Sequence, residues 1–150
     1  MTITWTAKGF GSLTTRDLHD LLRLRIDVFV VEQRCAYAEA DGRDPMAIHI
    51  LGRSPEGDLA AYARLLPPED DGMPRVGRVI VRQDLRGRGI AHDLMREVLS
   101  ALSAAHSSRR SKLSAQAPLQ DFYSKHGYRA ASAAYDWDGI PHVDMVRHED

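Results

Sequence analysis

VRQDLRGRGIAHDLM, residues 81–95, begins as the tail of an apolar run and ends inside an amphipathic pattern, with two glycines and three arginines between them. The pattern that follows is the strongest periodicity in the chain. Ile90, Leu94, Val98 and Leu102 recur every four residues with Met95 and Leu99 beside them, which predicts a helix over about 90–105. A helix start leaves amide N–H groups without intrahelical acceptors and carries the positive end of the macrodipole, so a tight turn before it is a natural anion site. Gly87 and Gly89 let a ligand approach the backbone, and Arg82, Arg86 and Arg88 add cationic donors suited to phosphate oxygens. Taken alone, the stretch fits a pyrophosphate cradle and a solvated glycine turn equally well.

Two common phosphate motifs do not fit. A dinucleotide fingerprint needs a third glycine or alanine where this chain has His92, and an acidic residue ~20 positions on, where it has serines and arginines. No G-x-x-x-x-G-K-[ST] run is present.

Working outward, residues 3–10 read as a strand and residues 15–30 as a helix. The helix carries Leu18, Leu21, Leu22, Ile26 and Phe29 on one face, and Thr14 and Asp17 stand at capping-box spacing. Residues 30–45 lack a period, contain four acidic groups and end in turn signals, so an irregular segment or short helix is expected. Strands follow at 47–53, 59–66 and 75–81, joined by SPEGD and PPEDDGMP, which predicts an antiparallel meander. After the 90–105 helix come a weak strand at 112–117, a short helix begun by Pro118 and stopped by Gly127, and two strands flanking Asp138-Gly139. This order predicts a single α+β domain over residues 1–150, with helices packed on a central sheet.

Composition narrows the function. The 20 Lys and Arg nearly balance 21 Asp and Glu. No global field marks nucleic acid or a membrane surface as the main partner, so neither is expected. The lone Cys35 excludes an internal disulfide framework and suits a reducing compartment. No stretch is long and apolar enough for a signal peptide or a membrane span, and a soluble cytoplasmic protein is expected. Cys35 reads as inert packing, no histidine pair has helix-face metal spacing, and no G-x-S-x-G elbow occurs, so no metal and no serine nucleophile are expected.

Arg86-x-x-Gly89-x-Ala91 resembles the acetyl-CoA motif [QR]-x-x-G-x-[GA] of the GCN5-related N-acetyltransferases (GNAT), and it follows the strand RVGRVIV and opens the best helix, as in that superfamily. FVVEQRCAYAEADGRD, GRVIV, QAPLQDFYSKHGY and DGIPHVDM extend the resemblance to the ElaA-like branch over nearly the whole chain. The resemblance implies a mixed, mostly antiparallel sheet with helices on both faces, and acetyl-CoA as cosubstrate. It implies that Val79, Ile80 and Val81 offer main-chain groups to the pantetheine arm. The turn Arg86, Gly87, Arg88, Gly89, Ile90 and Ala91 would take the pyrophosphate. Tyr123 corresponds to the tyrosine that often protonates the departing thiolate; without the resemblance it reads as a packing aromatic.

Attack on a thioester needs a neutral amine and a group to take its proton. Glu32, Glu39, Asp41, His49 and His142 are candidates, and Glu32 stands first because it sits among apolar residues in FVVEQ. His142 reads better as a satisfied core histidine. The expected activity is direct acetyl transfer within a ternary complex to an amine acceptor, which could be a polyamine, a metabolite, an antibiotic or a protein; a homodimer is allowed. The competing readings are a non-catalytic acyl-CoA-sensing module and a binder of another phosphate ligand.

Overall fold

The computed structural model describes residues 1–34 and 39–148; Cys35 lies outside them. Its elements are β1 (Thr4–Gly9), α1 (Thr15–Arg25), β2 (Ile48–Arg53), β3 (Leu59–Leu66), β4 (Arg75–Val81), α2 (Ile90–His106), β5 (Ser111–Gln116), α3 (Gln120–Ser124), β6 (Arg129–Ala130), β7 (Tyr135–Trp137) and β8 (Ile140–Arg147). They form one sheet ordered β1-β2-β3-β4-β5-β8-β6, with β7 also paired to β8. Every pairing is antiparallel except β4 with β5. No helix is long and apolar enough to cross a membrane among the described residues.

Helices cover both faces, and this explains the unbroken apolar run of β3, every residue of which is buried. Ala61, Ala63 and Leu65 pack with Leu94, Met95, Val98 and Leu102 of α2. Tyr62 points the other way, joining Leu21 and Leu24 of α1 and Ile80 of β4. Each fully buried aliphatic side chain contributes about 1.5–3 kcal/mol, so the continuous stripe of α2 is a principal anchor of the sheet.

The expected capping box is present: Asp17 N–H donates to Thr14 Oγ1 at 2.9 Å, and Thr14 N–H to Asp17 Oδ2 at 3.0 Å. Asp17 also takes Lys8 Nζ at 2.8 Å and Arg53 Nη2 at 2.7 Å, tying α1 to β1 and β2. The helix expected to run to residue 30 ends at Arg25 and widens into a π-helical segment, Ile26–Glu32, in which Gln33 N–H reaches back to Val28 O at 3.2 Å. Hydrophobic spacing did not show this, because widening one turn leaves Val28 and Phe29 against the same core. At the C-terminus, Asp138 and Gly139 both have positive φ, +53° and +80°, which is the two-residue hairpin turn their sequence predicts. The two-residue β6 was not expected, since so short a strand has no readable period.

Burial alone would raise the Asp17 carboxyl, but the hydrogen bonds from Lys8, Thr14 and Arg53 hold it well below the usual carboxylate range. A carboxyl lowered in the folded state stabilises above its unfolded value of about 3.9 and loses that contribution as pH falls through the folded value. Asp17→Asn is expected to lower stability by about 1–2 kcal/mol at neutral pH. Urea unfolding should show the gap to wild type narrowing only below about pH 4.

Candidate active site

The site begins as a defect in the sheet. Pairing of β3 with β4 passes from Tyr62↔Ile80 to Arg64↔Gly77, so β4 spends one residue more than β3 and carries a bulge there. Arg78 takes the strain, with φ of +52°. On its other side β4 keeps register with β5 only at Arg75↔Lys112. Beyond that pair the strands splay, and a cavity of about 730 Å³ opens between Val79, Ile80 and Val81 on one wall and Leu113, Ser114 and Gln116 on the other.

Several predicted residues converge on this opening. Arg86, Ala91, Glu32 and Tyr123 all line it with the three β4 residues. Tyr123 is almost wholly buried and edge-on to Phe122 and Tyr128, with ring centroids 5.0 and 6.2 Å away. Its hydroxyl has no hydrogen-bond partner among the described residues. Burial, followed by the neighbouring Tyr128, pushes the Tyr123 phenol well above its ordinary range, so the hydroxyl stays protonated. The apolar packing that the aromatics suggested and a proton donor facing the cavity coexist in one residue.

The glycine turn stands beside the cavity. Gly87 and Gly89 adopt φ of +79° and +80°, and a Cβ at either would meet no atom within 4 Å. The requirement for glycine is therefore conformational. The open space over the turn lies where the start of α2 has no side-chain cap. Ile90 is buried in the core, whereas Arg88 is exposed and makes no ion pair among the described residues. Arg82 is held by Asp84 at 2.7 Å. Gly87, Arg88, Gly89 and Ile90 do not themselves line the cavity; Arg86 and Ala91 mark its edge there.

Arg86 and Glu32, predicted for different tasks, bind each other. The guanidinium grips both carboxylate oxygens at 2.8 and 3.0 Å while its Nε donates to Val81 O at 3.0 Å. The π-helical segment brings Glu32 to this position, 54 residues from its partner.

The other candidate bases are placed elsewhere. Glu39 accepts from Arg25 Nε at 2.6 Å and Arg78 Nε at 2.8 Å. Asp41 accepts from both Arg64 terminal nitrogens at 3.0 and 2.6 Å, and Asp44 bridges Arg25 and Arg64 at 2.7 and 3.0 Å. Burial would raise the Asp41 and Asp44 carboxyls, but bonds from Arg64 and Arg25 respectively keep both below the ordinary range. His49 is fully buried between Tyr62 Oη at 2.6 Å and Asp44 O at 3.0 Å, and burial lowers its basicity further. Glu39, Asp41, Asp44 and His49 do not line the cavity.

His142 does. Its Nδ1 lies 2.7 Å from Ile140 O, and since a carbonyl only accepts, Nδ1 carries the proton and Nε2 keeps a lone pair when the ring is neutral. The ring also packs between Tyr135 and Trp137, centroids 6.2 and 5.2 Å away, so the reading as a packed histidine describes only part of its position. Sequence reasoning overlooked the arginines Arg43, Arg64, Arg75 and Arg78 that line the same space. Gly77 inside a strand pattern was the available signal of the bulge. Among the described residues no group of three or more His, Cys, Asp or Glu could hold a metal ion.

Known proteins share both the sequence and the overall fold of this chain. The family described as acetyltransferase (GNAT) domain matches residues 28–148. The chain belongs to the GNAT family. It is 41% identical to protein ElaA of Escherichia coli strain K12 over 148 residues, covering 97% of this chain and 96% of that protein. The crystal structure of Escherichia coli ElaA superposes with a TM-score of 0.91 at 38% identity, covering 98% of this chain and 100% of that one. An acyl-CoA N-acyltransferase from Pseudomonas aeruginosa superposes with a TM-score of 0.92 at 40% identity, covering 97% and 99% of the two chains. This GNAT protein is thus an acyltransferase of the ElaA-like branch, in a fold that uses acyl-CoA.

If the turn before α2 receives the pyrophosphate of acyl-CoA, Gly89→Val should weaken binding by tenfold or more. A β-branched residue at φ of +80° resists the conformation, and its side chain enters the open space over the helix start. Calorimetry with acetyl-CoA on variant protein of unchanged circular dichroism checks this.

Proposed function

We propose that this protein, acting as one domain over residues 1–150 in the cytoplasm, transfers an acetyl group from acetyl-CoA directly to an amine. The observation that carries the reading is the Tyr123 side chain, its hydroxyl without a partner among the described residues, in a cavity whose opposite wall is the splayed strand β4. The residues fit the cosubstrate. Val79, Ile80 and Val81 offer main-chain groups along the splay, where an N–H near Val79 or Ile80 meets the negative charge gathering on the thioester oxygen during attack. The uncapped start of α2 and the turn from Arg86 to Ala91 suit a pyrophosphate.

Bond changes balance without a metal or a covalent enzyme intermediate. The amine nitrogen forms a bond to the carbonyl carbon, the carbon–sulfur bond breaks, and Tyr123 gives its proton to the sulfur and regains one from solvent as the products leave. The amine's surplus proton leaves through a group on the acceptor side. Glu32 is assigned there, with His142 Nε2 as the other cavity atom holding a free lone pair in the neutral ring.

The ion pair between Arg86 and Glu32 couples the two halves of the site. A pyrophosphate competes with Glu32 for Arg86, and once the arginine turns away the carboxylate is free toward the acceptor. Glu32→Gln should therefore change both acceptor use and acetyl-CoA affinity, a broader effect than a residue confined to the acceptor would have.

Tyr123→Phe tests the central role. The ring keeps its packing, so acetyl-CoA affinity should stay within about threefold, while the single-turnover rate falls about 10²-fold, the lower end for general acid catalysis because a thiolate with pKa of about 8.5 already leaves tolerably. Because burial keeps the phenol protonated, the loss should be the same factor from about pH 6 to 9. A wild-type single-turnover rate in the variant would remove Tyr123 from the chemistry. Absence of thiol release with any amine, despite acetyl-CoA binding, would support the acyl-CoA-sensing reading instead.

A further inference from the structure

Past the thioester position the cavity continues toward the α1 face of the sheet, where its chemistry changes. Opposed residues of an antiparallel pair share a face. Tyr62, Arg64 and Leu66 alternate along β3 and stand opposite Ile80, Gly77 and Arg75 of β4. Tyr62 and Ile80 pack with α1, so Arg64 and Arg75 lie on the α1 side, whereas Tyr123 belongs to the α2 cluster. Arg78 joins the α1 side, its guanidinium carbon 5.9 Å from the Phe29 ring centre. Arg43 arrives from the segment before β2, and all four arginines line the cavity.

The charges are arranged unevenly about that end. Glu39, Asp41 and Asp44, which bind Arg64 and Arg78, sit behind them and do not line the cavity. Among the described residues two carboxylates line it, Glu32 at the Arg86 mouth and Asp138 in the β7–β8 turn, against the four arginines. Arg64 is only 2% exposed, yet its Nε has no hydrogen-bond partner among the described residues. The Arg43 guanidinium makes no ion pair among them, and Arg75 pairs with Glu69, an exposed carboxylate of the β3–β4 loop, at 2.7 Å. A polyamine entering here brings positive charge against guanidinium groups. A carboxylate supplies an acceptor for a buried donor that lacks one and matches the planar fork of arginine.

We propose that the acceptor is an amine bearing its own carboxylate, a free amino acid, held by Arg43, Arg64 and Arg75 with its amino group at the splay. The volume, about 730 Å³, must also hold the pantetheine arm, which leaves room for a compact acceptor. This rests on the transferase reading above and names its substrate class.

The test compares each common amino acid with its carboxamide and its decarboxylated amine, with spermidine and a lysine-containing peptide beside them, by thiol release from acetyl-CoA. The best amino acid should exceed its amide in kcat/KM by about tenfold to a hundredfold, the worth of a charge-assisted bond. That preference would run against chemical reactivity, since an amide's amine loses its proton more easily. Arg43→Glu, at an exposed position, and Arg75→Glu, at a half-buried one, should shrink the ratio while leaving acetyl-CoA affinity unchanged. Calorimetry adds a readout independent of turnover: N-acetyl amino acids should bind the CoA complex at least tenfold more tightly than N-acetyl amino amides. Amides, spermidine or the peptide acting as well as amino acids would overturn the proposal and leave the transferase reading intact. Without turnover on any amine, the transferase reading fails, and the calorimetric preference or its absence decides whether the carboxylate site stands.

Discussion

Buried backbone N–H and C=O groups must find partners, and β4 is where this protein departs from that constraint. The strand is laddered to β3 along its length but keeps register with β5 at a single residue pair. The candidate site is arranged around the gap. The bulge at Arg78 twists the strand away, Arg86 reaches back to Val81 O, and α2 and α3 close the far side with Ala91, Phe122 and Tyr123. A sheet fully laddered through its centre would satisfy its backbone and have no room for an extended acyl arm.

Holding such a gap open requires rigid surroundings, and on the α1 face these are ionic. Arg25, wholly buried, Arg64 and Arg78 are matched by Glu39, Asp41 and Asp44. Three charges of each sign make the cluster neutral as a unit. Burying such a group contributes little net stability compared with a well-packed apolar core, but removal of one member leaves a charge uncompensated at a cost of about 3–5 kcal/mol. The cluster therefore acts mainly as a positional device, fixing the chain after the π-helical segment against β3 and β4. Arg64 and Arg78 line the cavity while Arg25 and the three carboxylates do not, so a neutral cluster presents a cationic face.

On the α2 face the same low polarity acts on Tyr123. The apolar packing that makes the tyrosine part of the core also disfavours its ionised form, so a protonated hydroxyl lines the cavity. Arg86 and Glu32 are the exposed ion pair of the arrangement. Their pair lies at the exposed mouth, where solvent screens it.

The sequence by itself determined the elements whose residues repeat. The period of α2, the alternating and doubly buried strands, the Thr14–Asp17 capping box and the Asp138-Gly139 turn are local properties, set by side chains within a few positions of one another, and each was legible. So was the glycine and arginine turn, because positive φ and a helix start leave a signature within six residues. Tertiary structure alone decided what meets across the chain. Glu32 and Arg86 are 54 residues apart, Arg78 and Glu39 are 39 apart, and no pattern in either segment names its partner. The π-helical segment escaped notice because it preserves the apolar face, and the arginines of β3 and β4 read as interruptions in strands until the pairing register placed them on one side of the sheet. Local sequence sets backbone conformation through sterics and hydrogen bonding over a few residues, whereas a site built from separate strands exists only once long-range pairing has fixed which side chains share a face.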